Sequence, residues 1–109
     1  MEKVGIDGSL FSKLGKSHMR VIQYLVKIRG LDFTISDVAR NTNMTRVTLY
    51  KIWEDLEELG IIEETRKIGV ARLYKLNEKN GITKALINLH RALLVKLIDE
   101  EDQEIKIVA

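Results

Sequence analysis

The 109-residue chain contains no cysteine and no proline, and only 6% of it is aromatic. Without cysteine there is no disulfide, no thiolate zinc site and no thiol nucleophile, and the residue usage reads as intracellular. Seven glycines without a single proline, and no low-complexity stretch, argue against a flexible linker or a disordered arm. Apolar runs such as Leu93 to Val95 and Tyr24 to Val26 fall far short of the ~20 residues a membrane span needs. No signal-peptide pattern opens the chain, so a soluble, cytoplasmic protein with no membrane partner is expected. There is no internal repeat.

What the chain does have is enough apolar residues, 45%, to build one core, so a single domain over 1–109 is expected. The 18 Lys and Arg against 16 Asp and Glu leave a formal charge of only +2, but the charges are unevenly placed. Asp99 to Glu104 holds five acids and no base, whereas the chain up to Ile98 holds 17 bases against 11 acids. A basic body therefore precedes an acidic end.

A helical pattern runs through Leu10, Phe11, Leu14, His18, Val21, Ile22, Leu25, Val26 and Ile28, predicting a first helix from Leu10 to Arg29 with Gly15 as a point of interruption. Leu31 to Ile35 alternates like a very short strand. Ser36 is a candidate N-cap for a short second helix from Asp37 to about Asn41, with the Asp37 carboxylate suited to the helix start. Asn41, Thr42 and Asn43 read as a turn, and Thr45 as the cap of a third, long helix that stops at Gly60. Ile61 to Ile68 and Val70 to Leu76 are two strand-like runs around Gly69, a hairpin with a basic, flexible tip. After a turn at Asn77 to Gly81, Ile82, Leu86, Leu89, Leu93 and Leu97 mark a fourth helix running into the acidic end. For Glu104 to Ala109 the alternation of Ile105 and Ile107 leaves an edge strand or disorder open.

The segment "ISDVARNTNMTRVTLYKIWEDLEELGIIEETRKIGVARLYKL", from Ile35 to Leu76, resembles the winged helix-turn-helix of MarR-like and other small archaeal and bacterial transcription regulators. Ala39 is the small residue where two helices cross, and Asn43 stands where the pattern has a left-handed glycine, a mild departure because asparagine tolerates that conformation best among the other residues. Met44, Leu49 and Ile52 occupy the locking positions, and "LEELGII" resembles the passage from recognition helix to wing. The resemblance implies a mainly α fold with a small β-hairpin (α+β). Its helix-turn-helix would lie at 35–60, its wing at 61–76 and a C-terminal dimerisation helix at 82–98. It also implies a transcription regulator bound to double-stranded DNA in the nucleoid.

Helix geometry gives a separate check. At 100° per residue, Leu49, Ile52, Trp53, Leu56 and Leu59 share one stripe of the third helix, leaving Arg46, Val47, Tyr50, Lys51 and Glu54 on the other. Arg46 can donate two hydrogen bonds to guanine, and Val47 can meet a thymine methyl group. Thr45 and Thr48 sit at the positive end of the helix for phosphate or base contacts, whereas Glu54, Asp55, Glu57 and Glu58 repel phosphate, so only the N-terminal half suits a groove. Arg66, Lys67 and Arg72 are candidate wing contacts to the minor groove, and Arg40 a backbone contact, with Lys13, Lys16 and Arg20 behind them.

The fourth helix is apolar on more than one side, since Ala85, Ile87, Ala92, Leu94, Val95 and Ile98 add to its main stripe. A homodimer through Leu86, Leu89, Leu93 and Leu97 follows, with one stripe on its own domain and another on its mate. Two recognition helices would then sit ~34 Å apart on a pseudo-palindromic operator. Other readings are a nucleoid or plasmid-partition protein that coats DNA, and a protein–protein interaction module docking a basic partner on its acidic surfaces. No catalytic constellation is present, so no enzyme is expected, and no cofactor. His18 and His90 lack a second nearby ligand, so no metal site is expected. Any small-molecule effector would have to bind between the first and fourth helices.

Overall fold

The computed structural model describes residues 8–108, with side chains from 11 to 100. A 3-10 helix (Gly8–Leu14) leads into α1 (Lys16–Lys27), followed by β1 (Asp32–Phe33), α2 (Ile35–Thr42), α3 (Arg46–Glu58), β2 (Ile62–Ile68), β3 (Ala71–Leu76) and α4 (Gly81–Val108). Gly15, extended at ψ −176°, is the N-cap of α1, so the predicted first helix is two pieces broken at that glycine. The three strands form one antiparallel sheet in the order β1-β3-β2. Fold class is thus α+β, with the short first strand added to the hairpin.

Burial follows the helical stripes. Val21, Ile22, Leu25 and Val26 of α1 meet Val38 of α2 and Leu49, Ile52, Trp53 and Leu56 of α3 in one core, closed on the sheet side by Phe33, Ile61, Ile62, Tyr74 and Leu76. Trp53 is edge-on to Phe33 at 5.7 Å and to Tyr74 at 5.1 Å, and so ties α3 to the cross-strand pair that these two residues form between β1 and β3. Its indole N–H is buried without a hydrogen-bond partner.

Three local assignments differ from the sequence reading. The cap of α2 is Thr34, not Ser36: the Thr34 hydroxyl accepts from the Asp37 N–H at 3.1 Å while the Asp37 carboxylate accepts from the Thr34 N–H at 3.0 Å. This reciprocal pair needs an acid three residues after the cap, which Thr34 has and Ser36 lacks. Thr42 belongs to α2 and is buried, its hydroxyl donating to the Val38 carbonyl at 2.6 Å instead of shaping a turn. At the end of the chain α4 continues as helix through Val108, where an edge strand or disorder had been the alternatives.

The start of α4 is fixed by Asn80. Its carboxamide oxygen accepts from the Thr83 N–H at 3.0 Å, and its amide donates to the Leu59 carbonyl at 3.2 Å, so one side chain caps α4 and binds the end of α3. Gly60, at φ +78°, gives Asn80 room: a Cβ there would stand 2.6 Å from its amide nitrogen.

Among the described side chains of α4, to Glu100, only Thr83 and Leu86 are buried, with Ile87 and His90 half-buried; from Leu89 onward they are open except His90. Among the described residues, neither apolar stripe of this 28-residue helix is covered beyond that point. The radius of gyration, 16.7 Å, exceeds the ~13 Å of a compact chain of this length.

Candidate nucleic-acid interface

The turn between α2 and α3 is locked at both ends. Asn43 adopts the left-handed conformation (φ 57°, ψ 44°) and returns its N–H to the Ala39 carbonyl, the geometry for which asparagine is the best substitute for glycine. Thr45 then caps α3, its hydroxyl accepting from the Thr48 N–H at 3.2 Å. From α1, Arg20 donates to the Thr42 carbonyl at 2.6 Å, a structural use of a residue held in reserve as a phosphate contact. A second tie joins α1 to α3, where His18 Nε2 lies 2.7 Å from Asp55 Oδ2. Lys13 contacts Asp55 and Glu58 beside it.

This framework leaves Thr45, Arg46, Val47, Thr48, Tyr50 and Lys51 exposed together on α3, with Val47 82% open. The guanidinium of Arg46 donates to the hydroxyl of Ser36 at the start of α2, a contact the sequence did not signal. Arg40, at the end of α2, is exposed and pairs with Asp37 at 2.9 Å. The Asp37 carboxyl is held below its ordinary value chiefly by the Thr34 N–H; burial is the next largest effect and opposes it, while the Thr34 hydroxyl and Arg40 add to the lowering.

The wing cations do not form one cluster. Pairing along β2 and β3 slips between Glu64 and Arg66, where Thr65 is an extra residue whose hydroxyl donates to the Leu73 carbonyl at 3.2 Å. Cross-strand partners share a face, so Lys67, opposite Arg72, joins the Glu64–Tyr74 face that looks toward α3. Arg66, opposite Leu73, falls on the other face. There it pairs with Asp32 of β1 at 3.1 Å, while Arg72 approaches Glu64 at 3.7 Å. Strict alternation from Ile62 would have exchanged Arg66 and Lys67, and nothing in the composition of β2 announces the bulge.

Between α3 and the wing runs a cleft of about 670 Å³. Arg46, Tyr50, Glu54 and Glu57 form one wall, Val70 and Arg72 the other, and Thr34 to Ser36 one end. A second groove, about 450 Å³ and mostly apolar, lies between α1 and α4, lined by Met19, Ile22, Val26, Leu89, Leu93 and Leu97, with Gln23, His90 and Lys96 at its polar points. Of the four residues assigned to a dimer contact, Leu86 is packed in its own chain's core, whereas Leu89, Leu93 and Leu97 are 47–58% exposed. Among the described residues no group of three acidic or histidine side chains is arranged to hold a metal, and no helix is long and apolar enough to cross a membrane.

Solved structures with this architecture include MepR, a transcription regulator of the Staphylococcus aureus multidrug efflux pump MepA, at TM-score 0.64 and 17% identity over 93% of this chain and 79% of that one. The adhesin competence repressor AdcR of Streptococcus pyogenes matches at TM-score 0.64 and 13% identity, over 90% of this chain and 70% of its own. A possible transcriptional regulator from Methanosarcina mazei Go1 matches at TM-score 0.58 and 15% identity over 87% and 83%. The fold is a winged helix. No family model and no curated protein sequence matches the chain. Within the winged helix, α2 and α3 form the helix-turn-helix and β2 and β3 the wing.

Proposed function

We propose that this winged helix binds double-stranded DNA sequence-specifically as a homodimer and regulates transcription by occupying an operator. The observation that carries the reading is the exposed N-terminal half of α3, bearing Thr45, Arg46, Val47, Thr48, Tyr50 and Lys51, set across a cleft from Arg72 on the wing, whose cross-strand partner is Lys67. With α3 in the major groove and the wing in the adjoining minor groove, the sugar-phosphate strand that separates the grooves occupies the cleft. Arg46 reads guanine while Arg72, Lys67 and Arg40 anchor phosphates. Phosphate competes with Glu64 and Asp37 for the last two arginines, and Glu54 and Glu57 keep the C-terminal half of α3 out of the groove.

The dimer rests on α4. Leu89, Leu93, Leu94, Val95, Leu97 and Ile98 are all about half exposed, an apolar surface larger than a monomer ordinarily leaves in water. A two-fold mate covers it. The solved regulators of the same fold add support for a role in transcription.

Selection from a random duplex pool, followed by gel shifts over a salt series, tests the reading. The expected result is one enriched, pseudo-palindromic sequence whose affinity drops on the order of 10³-fold between 50 and 200 mM salt when six or more phosphates are engaged. Absence of binding at low salt overturns it, and binding without sequence preference replaces it with a DNA-coating role.

A further inference from the structure

We propose that the tip of the wing is an apolar wedge, Ile68 and Val70 around Gly69, that enters a base step from the minor groove, partly unstacks it and bends the duplex. The inference rests on the DNA-binding reading and adds a deformation step to it.

The tip of the hairpin is a tight turn whose own residues are apolar, with the predicted basic residues on the rungs behind it. Ile68 and Ala71 form the last rung, so the turn has two central residues, and only the first, Gly69, has positive φ (+64°). That is the pattern of a tight type II′ hairpin turn, which places no apolar demand on its second position. Turn positions otherwise favour small polar residues that water can reach. Here that position holds Val70, 102% exposed and the most open large apolar side chain among the described residues, next to Ile68 at 58%. Neither contributes to the core, and two bare β-branched residues at a hairpin end cost solubility and invite association.

Their surroundings identify the occupant. Lys67 and Arg72 form the rung directly behind Ile68 and Ala71, and Arg66 the next. Two cations on one face, with Arg66 on the other held by Asp32, flank an apolar point, an arrangement that matches a polyanion with an apolar interior, which is what a DNA base step offers once its phosphates are engaged. Val70 also lines the same cleft as Arg46 and Tyr50, so the tip lies on the side of the molecule that presents α3. β-Branched side chains lose little rotamer freedom on insertion, and such wedges kink DNA by about 20 to 90° toward the major groove.

The test uses the full chain and the duplex selected from the random pool, end-labelled for energy transfer and carrying 2-aminopurine at successive steps of the flanking minor grooves. Wild type is expected to bend the duplex by about 20° or more and to raise 2-aminopurine fluorescence at one step per half-site. The double variant Ile68→Ser/Val70→Ser is expected to keep the sequence preference while losing both signals. Circular dichroism should match wild type because both residues are solvent-facing. Lys67→Ala/Arg72→Ala should do the reverse, weakening binding while leaving the bend intact at saturation. A straight wild-type complex with stacked 2-aminopurine, or an unchanged bend in the serine variant, overturns the wedge and leaves the DNA-binding reading standing. Failure of wild type to bind any duplex at low salt overturns both.

Discussion

Arg46 and Arg72 sit on opposite walls of one cleft, and their chemistry separates their expected effects. Arg46→Ala should cost about 1–3 kcal/mol of binding and relax the preference at a single base pair, measured by competition with single-site operator variants. Arg72→Ala should weaken all duplexes alike and lower the salt slope by about 1. A second residue-scale prediction concerns the Thr34–Asp37 capping box. Thr34→Ala should destabilise the fold by about 1 kcal/mol in chemical denaturation, the usual cost of a lost cap. Because the folded Asp37 carboxyl titrates below its ordinary value of 3.8, its contribution is present in full above that pH and is lost as pH falls through the lowered value. The stability gap between wild type and Asp37→Asn should therefore narrow at pH 3 relative to pH 7.

Among elements, the junction of α3 and α4 makes a sharp demand on one position. Gly60→Ala should destabilise by at least about 1 kcal/mol, from the left-handed backbone and from the Asn80 amide 2.6 Å away, and thermal melts of Gly60→Ala and Asn80→Ala should show both losing the α3–α4 tie. Gly60 was legible in the sequence as a helix stop, as were Thr45 as a cap and Asn43 as a left-handed turn, because local backbone chemistry alone sets those roles. The buried stripe of α3 was legible for a similar reason: its apolar residues repeat at helical spacing. Partnerships between distant segments were not. Arg20 at the Thr42 carbonyl, Ser36 at Arg46, Asp32 at Arg66 and the Asn80 bridge are contacts between residues 10 to 34 positions apart, and no periodicity encodes them. The bulge at Thr65 has no sequence signature, because a threonine suits a regular strand as well as an interrupted one.

At the scale of the whole molecule, the charge of the chain and the reach of α4 bear on how two copies would meet DNA in the proposed dimer. Leu93→Glu/Leu97→Glu should convert the dimer to a monomer in analytical ultracentrifugation without unfolding it, since both side chains are exposed within the chain, and operator affinity should fall by well over tenfold as the two half-sites uncouple. The acidic run Asp99 to Glu104 lies on the distal part of α4. The formal charge of +2 for the chain therefore understates what phosphate meets near α3 and the wing. In a two-fold assembly each wing appears twice, pointing in opposite directions along the duplex. The extra residue at Thr65 strengthens the twist of the hairpin, and any change in that twist moves both tips at once, so the separation they reach along the duplex changes by twice the displacement of either. A chain lacking Thr65 retains every cation and every rung of the hairpin, yet selection from random DNA should return sites with the same half-site spacing but with the flanking positions met by the two wings at a different distance from each other. In the proposed dimer, one residue that touches no base would then set how far apart the two flanking contacts lie.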